Sequence, residues 1–168
     1  LFMATKATDS TRPVIDASGG SHRVAFTDIW DVHDYAQDPE EFAAHYADFM
    51  QGDVYGGLPD DGVQRSLPYN NQPYFVSEFG GIQWNHDSDD DSDSWGYGNR
   101  PESLEAFYAR FKGLIDVLLD HPGMFGYCYT QLTDVYQEQN GIYTFDRRAK
   151  FDVARIHAIQ TRRAAIEA

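Results

Sequence analysis

The chain has 168 residues, 42% hydrophobic, 24% charged and 15% aromatic, which is enough to bury one sizeable core and too apolar for a disordered segment. Its 27 acidic residues against 13 basic ones leave a formal charge of −14, which argues against nucleic acid or anionic membrane surfaces as partners. A single cysteine, Cys128, excludes a disulfide framework and is expected to pack as a small hydrophobe, and no apolar run has the length of a membrane span.

In chain order, RPVIDASGG (12–20) reads as a short apolar strand closed by small residues, and FTDIWDVHDY (26–35) as a second ending in polar and aromatic groups. DPEEFAAHYADFMQG then predicts a helix. Asp38 caps it, Pro39 takes the first helical position, Glu41 completes a capping box, and Phe42, Tyr46, Phe49 and Met50 share a face before Gly52 stops it. A Gly-, Pro- and Asn-rich loop (56–72) leads to PYFVSEFGG (73–81), a run of β-formers closed by two glycines.

The acidic stretch HDSDDDSDSWGYGN follows. Asp87, Asp89 and Asp91 have the alternate spacing of a calcium loop, but Ser92 replaces its glycine and Gly98 stands where the bidentate Glu belongs, so a solvated loop is expected. Pro101 opens the strongest helical signal, with Leu104, Phe107, Tyr108, Phe111, Leu114, Ile115, Leu118 and Leu119 on one stripe. His121-Pro122-Gly123 ends it, MFGYCYTQL (124–132) reads as a further strand, NGIYTFDR (140–147) as a hairpin, and Val153, Ile156 and Ile159 as a last helix. Strands alternating with helices predict an α/β fold with a parallel sheet. A closed eightfold barrel needs about 250 residues, so residues 1–168 correspond to about half of one.

Glu78 in PYFVSEFGG therefore stands at the C-terminal lip of a strand, where α/β folds place their chemistry. A lone Ser-Glu at such a lip is also compatible with a capping or ion-paired carboxylate. Taken together, TRPVI, TDIWDVHDY, PYFVSEFGG and GYCYTQLTDVYQEQNGIYTFDRRAKFD resemble, in order and spacing, the C-terminal half of the catalytic (β/α)8 TIM barrel of glycoside hydrolase family 2, the β-galactosidase and β-glucuronidase family. The resemblance spans nearly the whole chain and implies strands five to eight with their helices. It makes Glu78 the nucleophile of a retaining exo-β-glycosidase, a mechanism that sets two carboxyls about 5–5.5 Å apart. It makes Tyr35, in His33-Asp34-Tyr35, a hydrogen-bond donor to Glu78, with His33 standing where relatives carry Asn. Tyr129 falls where relatives have Trp, as a sugar platform or a core aromatic. Trp84 is a second candidate wall, and Asp134 bonds either a sugar hydroxyl or the neighbouring loop.

Two departures qualify the resemblance. The family's acid/base lies in an Asn-Glu pair, and no Asn here is followed by Glu, so the chain by itself is expected to be inactive. β-Glucuronidases carry Asn-x-Lys where this chain has Glu138-Gln139-Asn140, and a negative Glu138 beside a uronate would repel it, which favours a neutral sugar such as galactose. No cofactor or metal is expected. The expected partners are a carbohydrate, the missing N-terminal half of the barrel with upstream domains, and further copies of the chain through exposed edge strands. The competing expectation is a non-catalytic carbohydrate-binding module that keeps a degenerate barrel.

Overall fold

The computed structural model describes residues 1–57, 63, 65–85 and 94–168. The order of elements is α1 (Phe2–Thr8), β1 (Trp30–Asp34), α2 (Pro39–Ala44), a 3-10 turn at Phe49–Gln51, β2 (Tyr74–Gly80), α3 (Leu104–Asp120), β3 (Met124–Thr130), α4 (Val153–Gln160) and a final 3-10 turn at Ala165–Glu167. The three strands form one parallel sheet in the order β1-β2-β3. This is an α/β arrangement with the alternation expected. Among the described residues the sheet has three strands, and neither the fourth strand expected nor the curvature of a half-barrel is shown.

A fourth strand over 12–20 does not form. Pro13 has no N–H to give a ladder, and side chains capture the neighbouring backbone donors. Val14 N–H donates to Asp28 Oδ2 (2.7 Å), Asp16 N–H to Thr27 Oγ1 (3.3 Å) and Gly19 N–H to Asp31 Oδ2 (3.0 Å). The segment is thus tied to β1 and to the residues just before it by carboxylates and a hydroxyl instead of by strand pairing. Helix α1 has no counterpart among the elements expected from the sequence.

Asp38 caps α2 as expected, its Oδ1 accepting from Glu40 and Glu41 N–H with Pro39 in the first turn, but among the described residues the Glu41 side chain makes no return bond to Asp38 N–H, so the capping box is not completed. The helix is shorter than its apolar pattern. It stops at Ala44, because His45 and Tyr46 turn their side chains onto the buried Asp34 carboxylate at 2.7 and 2.8 Å. Gly52, at φ +92, closes the 3-10 turn that follows. Met50 points outward at 62% exposure, off the face formed by Phe42, Tyr46 and Phe49.

Helix α3 is capped by Ser103, whose Oγ accepts from Ala106 N–H (3.1 Å). Its stripe Phe107, Tyr108, Phe111, Leu114, Ile115, Leu118 and Leu119 is buried against the sheet and α4, while Leu104 lies outside it at 37% exposure. Phe107 stacks on Phe151 at 3.9 Å, and Val32, Val76 and Phe79 supply the sheet side of the same core. The core thus fills the helix face of the sheet. Cys128, expected inside, is exposed: among the described residues β3 has a strand on one side only, and alternation turns Cys128 away from α3 while Tyr127 and Tyr129 pack inward. The acidic calcium-like loop at 86–93 lies outside the described residues. Among the described residues no helix is long and apolar enough to cross a membrane.

Candidate active site

The register of β1 against β2 runs Val32 with Val76, then His33 with Glu78, so Ser77 is an extra residue in the ladder. Such a bulge re-aims the side chains around it. Here the Ser77 hydroxyl donates to Asp31 Oδ2 (2.5 Å), and Glu78 is delivered to the strand end beside His33 and Tyr35. The Glu78 side chain is 41% exposed. Its Oε2 accepts from Tyr35 O–H at 2.6 Å and lies 3.2 Å from His33 Nδ1, whose ring meets Ser18 Oγ at 3.0 Å through Nε2. Among the described residues, nothing hydrogen-bonds Glu78 Oε1. One oxygen is anchored and the other is open. Burial first, then the bond to Glu78, pushes the Tyr35 hydroxyl well above its ordinary value, so it stays protonated and donates.

Behind this pair lies a buried charge network. His22 is fully buried, with Nδ1 2.6 Å from Asp16 Oδ1 and Nε2 3.2 Å from Asp31 Oδ1. Asp31 also holds Gly19 N–H and the Ser77 hydroxyl, so the network links the loop before β1, β1 itself and the bulge next to Glu78. Burial alone would depress the imidazole, but its bonds to Asp31 and Asp16 outweigh this and push His22 up to about 9. A folded value above the ordinary 6.5 gives stabilisation that is complete below pH 6.5 and lost as pH rises through about 9. Denaturant titrations of the wild type should show that loss, and His22→Gln should show none over the same window. A wild-type profile that is flat there would remove the charged histidine from the network.

Three residues proposed from the sequence sit elsewhere. Trp84 is only 8% exposed and packs on Phe107 and Phe151 with the Arg100 guanidinium 5.5 Å over its ring, so it is a core side chain and not a wall of the site. Tyr129 packs between Phe79 and Phe111 on the helix face, and its hydroxyl accepts from Ile82 N–H at 3.2 Å, which is the core-aromatic alternative and not the platform. Asp134 accepts from Gly141 N–H and from Lys150 Nζ, both at 2.8 Å, and so braces its own loop. Conversely, sequence reasoning missed Tyr97, whose ring lies flat on Tyr35 at 3.5 Å and 7° from parallel. The signal was an aromatic between two glycines, Gly96 and Gly98, just after the acidic run. Ser18 and Thr130, both within reach of the site's side chains, were also missed. Among the described residues, no group of three or more His, Cys, Asp or Glu could hold a metal.

No protein-family profile and no curated protein matches the chain. Solved structures do. A GH2 β-galacturonidase from Eisenbergiella tayi bound to glycerol aligns over 95% of this chain and 28% of its own, at 16% identity and a TM-score of 0.60. The same kind of enzyme from that organism bound to galacturonate aligns over 99% and 29%, at 16% identity and 0.58. A β-D-glucuronidase of Dictyoglomus thermophilum aligns over 94% and 27%, at 16% identity and 0.50. The chain spans less than a third of the length of each of these chains, and at such low identity the likeness is one of fold.

Proposed function

We propose that the chain is the nucleophile-bearing part of a retaining exo-β-glycosidase of the glycoside hydrolase family 2 type, with Glu78 as nucleophile. The observation that carries the reading is the asymmetry of the Glu78 carboxylate: Oε2 is held by Tyr35 and His33, while Oε1 is open on an exposed strand lip. In the first half of the reaction Oε1 attacks the anomeric carbon. The bond to the leaving oxygen breaks, and a general acid outside this chain's described site protonates that oxygen. Water then attacks the glycosyl ester, with the same acid now acting as base, and Glu78 is regenerated. Tyr35 contributes by keeping the carboxylate turned edge-on to the sugar, with its phenol protonated throughout.

The solved structures of similar fold include enzymes named for uronic acids, yet among the described residues the polar contacts of Glu78, His33 and Tyr35 include no lysine or arginine. Glu138 bridges Trp95, in the segment 94–100 that carries Tyr97, through its backbone, and its carboxylate Oε1 accepts from Asn140 Nδ2 at 3.2 Å. A uronate carboxylate would meet negative charge there, so a neutral β-glycoside is the proposed substrate.

The direct test is covalent trapping. An activated 2-deoxy-2-fluoro-β-glycoside reacts once and then stalls, because fluorine at C2 destabilises the positively charged transition state of both steps while the good leaving group rescues only the first. In the enzyme that contains this chain, peptide mapping should find the sugar esterified to Glu78. Labelling elsewhere, or none with either neutral or uronic probes, would remove Glu78 from that role. Labelling by the uronic probe alone would replace the neutral substrate.

A further inference from the structure

We propose that Tyr97 is a positioning residue of this site: its ring clamps the phenol of Tyr35 in the orientation that bonds Glu78. The inference rests on the glycosidase reading of Glu78 and concerns a residue outside the strands.

The two rings overlap face to face, with centroids 3.5 Å apart and planes 7° from parallel. Two phenols left to themselves prefer offset or edge-on contact, so the backbone must impose this arrangement. The strap 94–100 is pinned on all sides. Trp95 N–H donates to Gln137 O (2.8 Å), Tyr97 N–H to Gly81 O (2.9 Å) and Gln83 Nε2 to Ser94 O (3.0 Å). Arg110 reaches from α3 to Asn99 O (2.8 Å) and Gln37 Oε1 (3.4 Å), joining the strap to the residues that follow Tyr35. Gly81 sits beneath both rings at φ +58, where a Cβ would collide with Tyr97 Cδ2 and come within 3.2 Å of Tyr35 Cε1. The absence of a side chain at Gly81 is therefore what lets the rings stack.

Tyr35 lies one residue beyond the end of β1, and its hydroxyl has a second acceptor in Thr130 Oγ1 at 3.4 Å. A phenol at a strand end with an uncovered face can swing away from the carboxylate. Tyr97 covers that face. Its own hydroxyl plays no part in the clamp, because the stacked ring is what blocks the swing.

In the enzyme that contains this chain, Tyr97→Ala should lower kcat by about 10²-fold, the scale of an ångström misplacement at a reacting group, with KM nearly unchanged. Tyr97→Phe should recover most of that loss. Tyr97→Ala combined with Tyr35→Phe should be no slower than Tyr35→Phe alone, because both remove one hydrogen bond. A second readout needs no turnover. In the 168-residue chain the Tyr35 hydroxyl proton, held by a carboxylate, should give a downfield proton resonance that vanishes in Tyr35→Phe, which assigns it. That signal should persist in Tyr97→Phe and disappear in Tyr97→Ala. Should Tyr97→Ala fail to fold, Tyr97→Leu keeps the apolar bulk without the flat ring and carries the same expectations. Effects of the two substitutions that multiply, a Phe variant that recovers nothing, or a hydroxyl signal that survives in Tyr97→Ala would each overturn the clamp. Intact hydrolysis in a Glu78 variant overturns the glycosidase reading instead, and the proton signal still decides the clamp.

Discussion

Glu78→Gly, made in the enzyme that contains this chain, is expected to abolish hydrolysis, and azide is expected to restore consumption of an activated β-glycoside. Without the carboxylate no group stands at the anomeric carbon, and the space left beside Tyr35 and His33 admits a small anion. Azide forms the new C–N bond from the face that Glu78 used. The activated leaving group departs with its electron pair and needs no proton. One displacement in place of two inverts the centre, so the product is an α-glycosyl azide, identifiable by NMR. A structural glutamate would give neither the loss nor the product. Full hydrolytic activity in Glu78→Gly, or a β-configured azide, would exclude the proposed role.

The largest effect on stability is expected away from the site, at Asp134. Lys150 is buried with its Nζ 2.8 Å from Asp134 Oδ1, and its side chain is 2% exposed. Burial depresses the Lys150 ammonium while Asp134 supports it, so removing Asp134 leaves a buried cation without its counter-ion. Breaking such a pair costs about 3–5 kcal/mol. Asp134→Ala also strips Gly141 N–H of its acceptor, in a loop where Ile142 and Phe151 hand the chain back to the core. Denaturant melts should show the loss for Asp134→Ala, whereas Asp134→Leu with Lys150→Met, which removes both charges, should recover much of it. Equal losses in the single and double variants would mean that the loop's packing, not the ion pair, carries the effect.

Several parts of this architecture were legible in the residues. The α3 stripe from Phe107 to Leu119 repeats at helical spacing over several turns, and nothing in the fold competes with it. Asp38-Pro39 and Ser103 mark helix starts through bonds that reach only two or three residues along the chain. The strand that carries Glu78 near its C-terminal end announced itself by β-formers before a double glycine. The segment 12–20 misled because its short apolar run closed by small residues was genuine while its donors went to Asp28, Thr27 and Asp31, partners that the local pattern cannot reveal.

By itself the sequence determined the local order of helices and strands, the acidic surface and the placing of Glu78 at a strand end, because these follow from periodicity, capping and charge within a few residues. Tertiary structure decided which side chains meet there. Tyr35 reaches Glu78 across 43 positions of sequence and Tyr97 reaches Tyr35 from beyond the acidic run, while Trp84 and Tyr129, equally aromatic and close to strand ends, turn inward. An aromatic ring buries as readily in a core as it lines a cleft, so its type carries no direction. Direction came from the bulge at Ser77, from alternation across β3 and from the bare Gly81, each of which exists only once the strands are paired and the strap is laid over them.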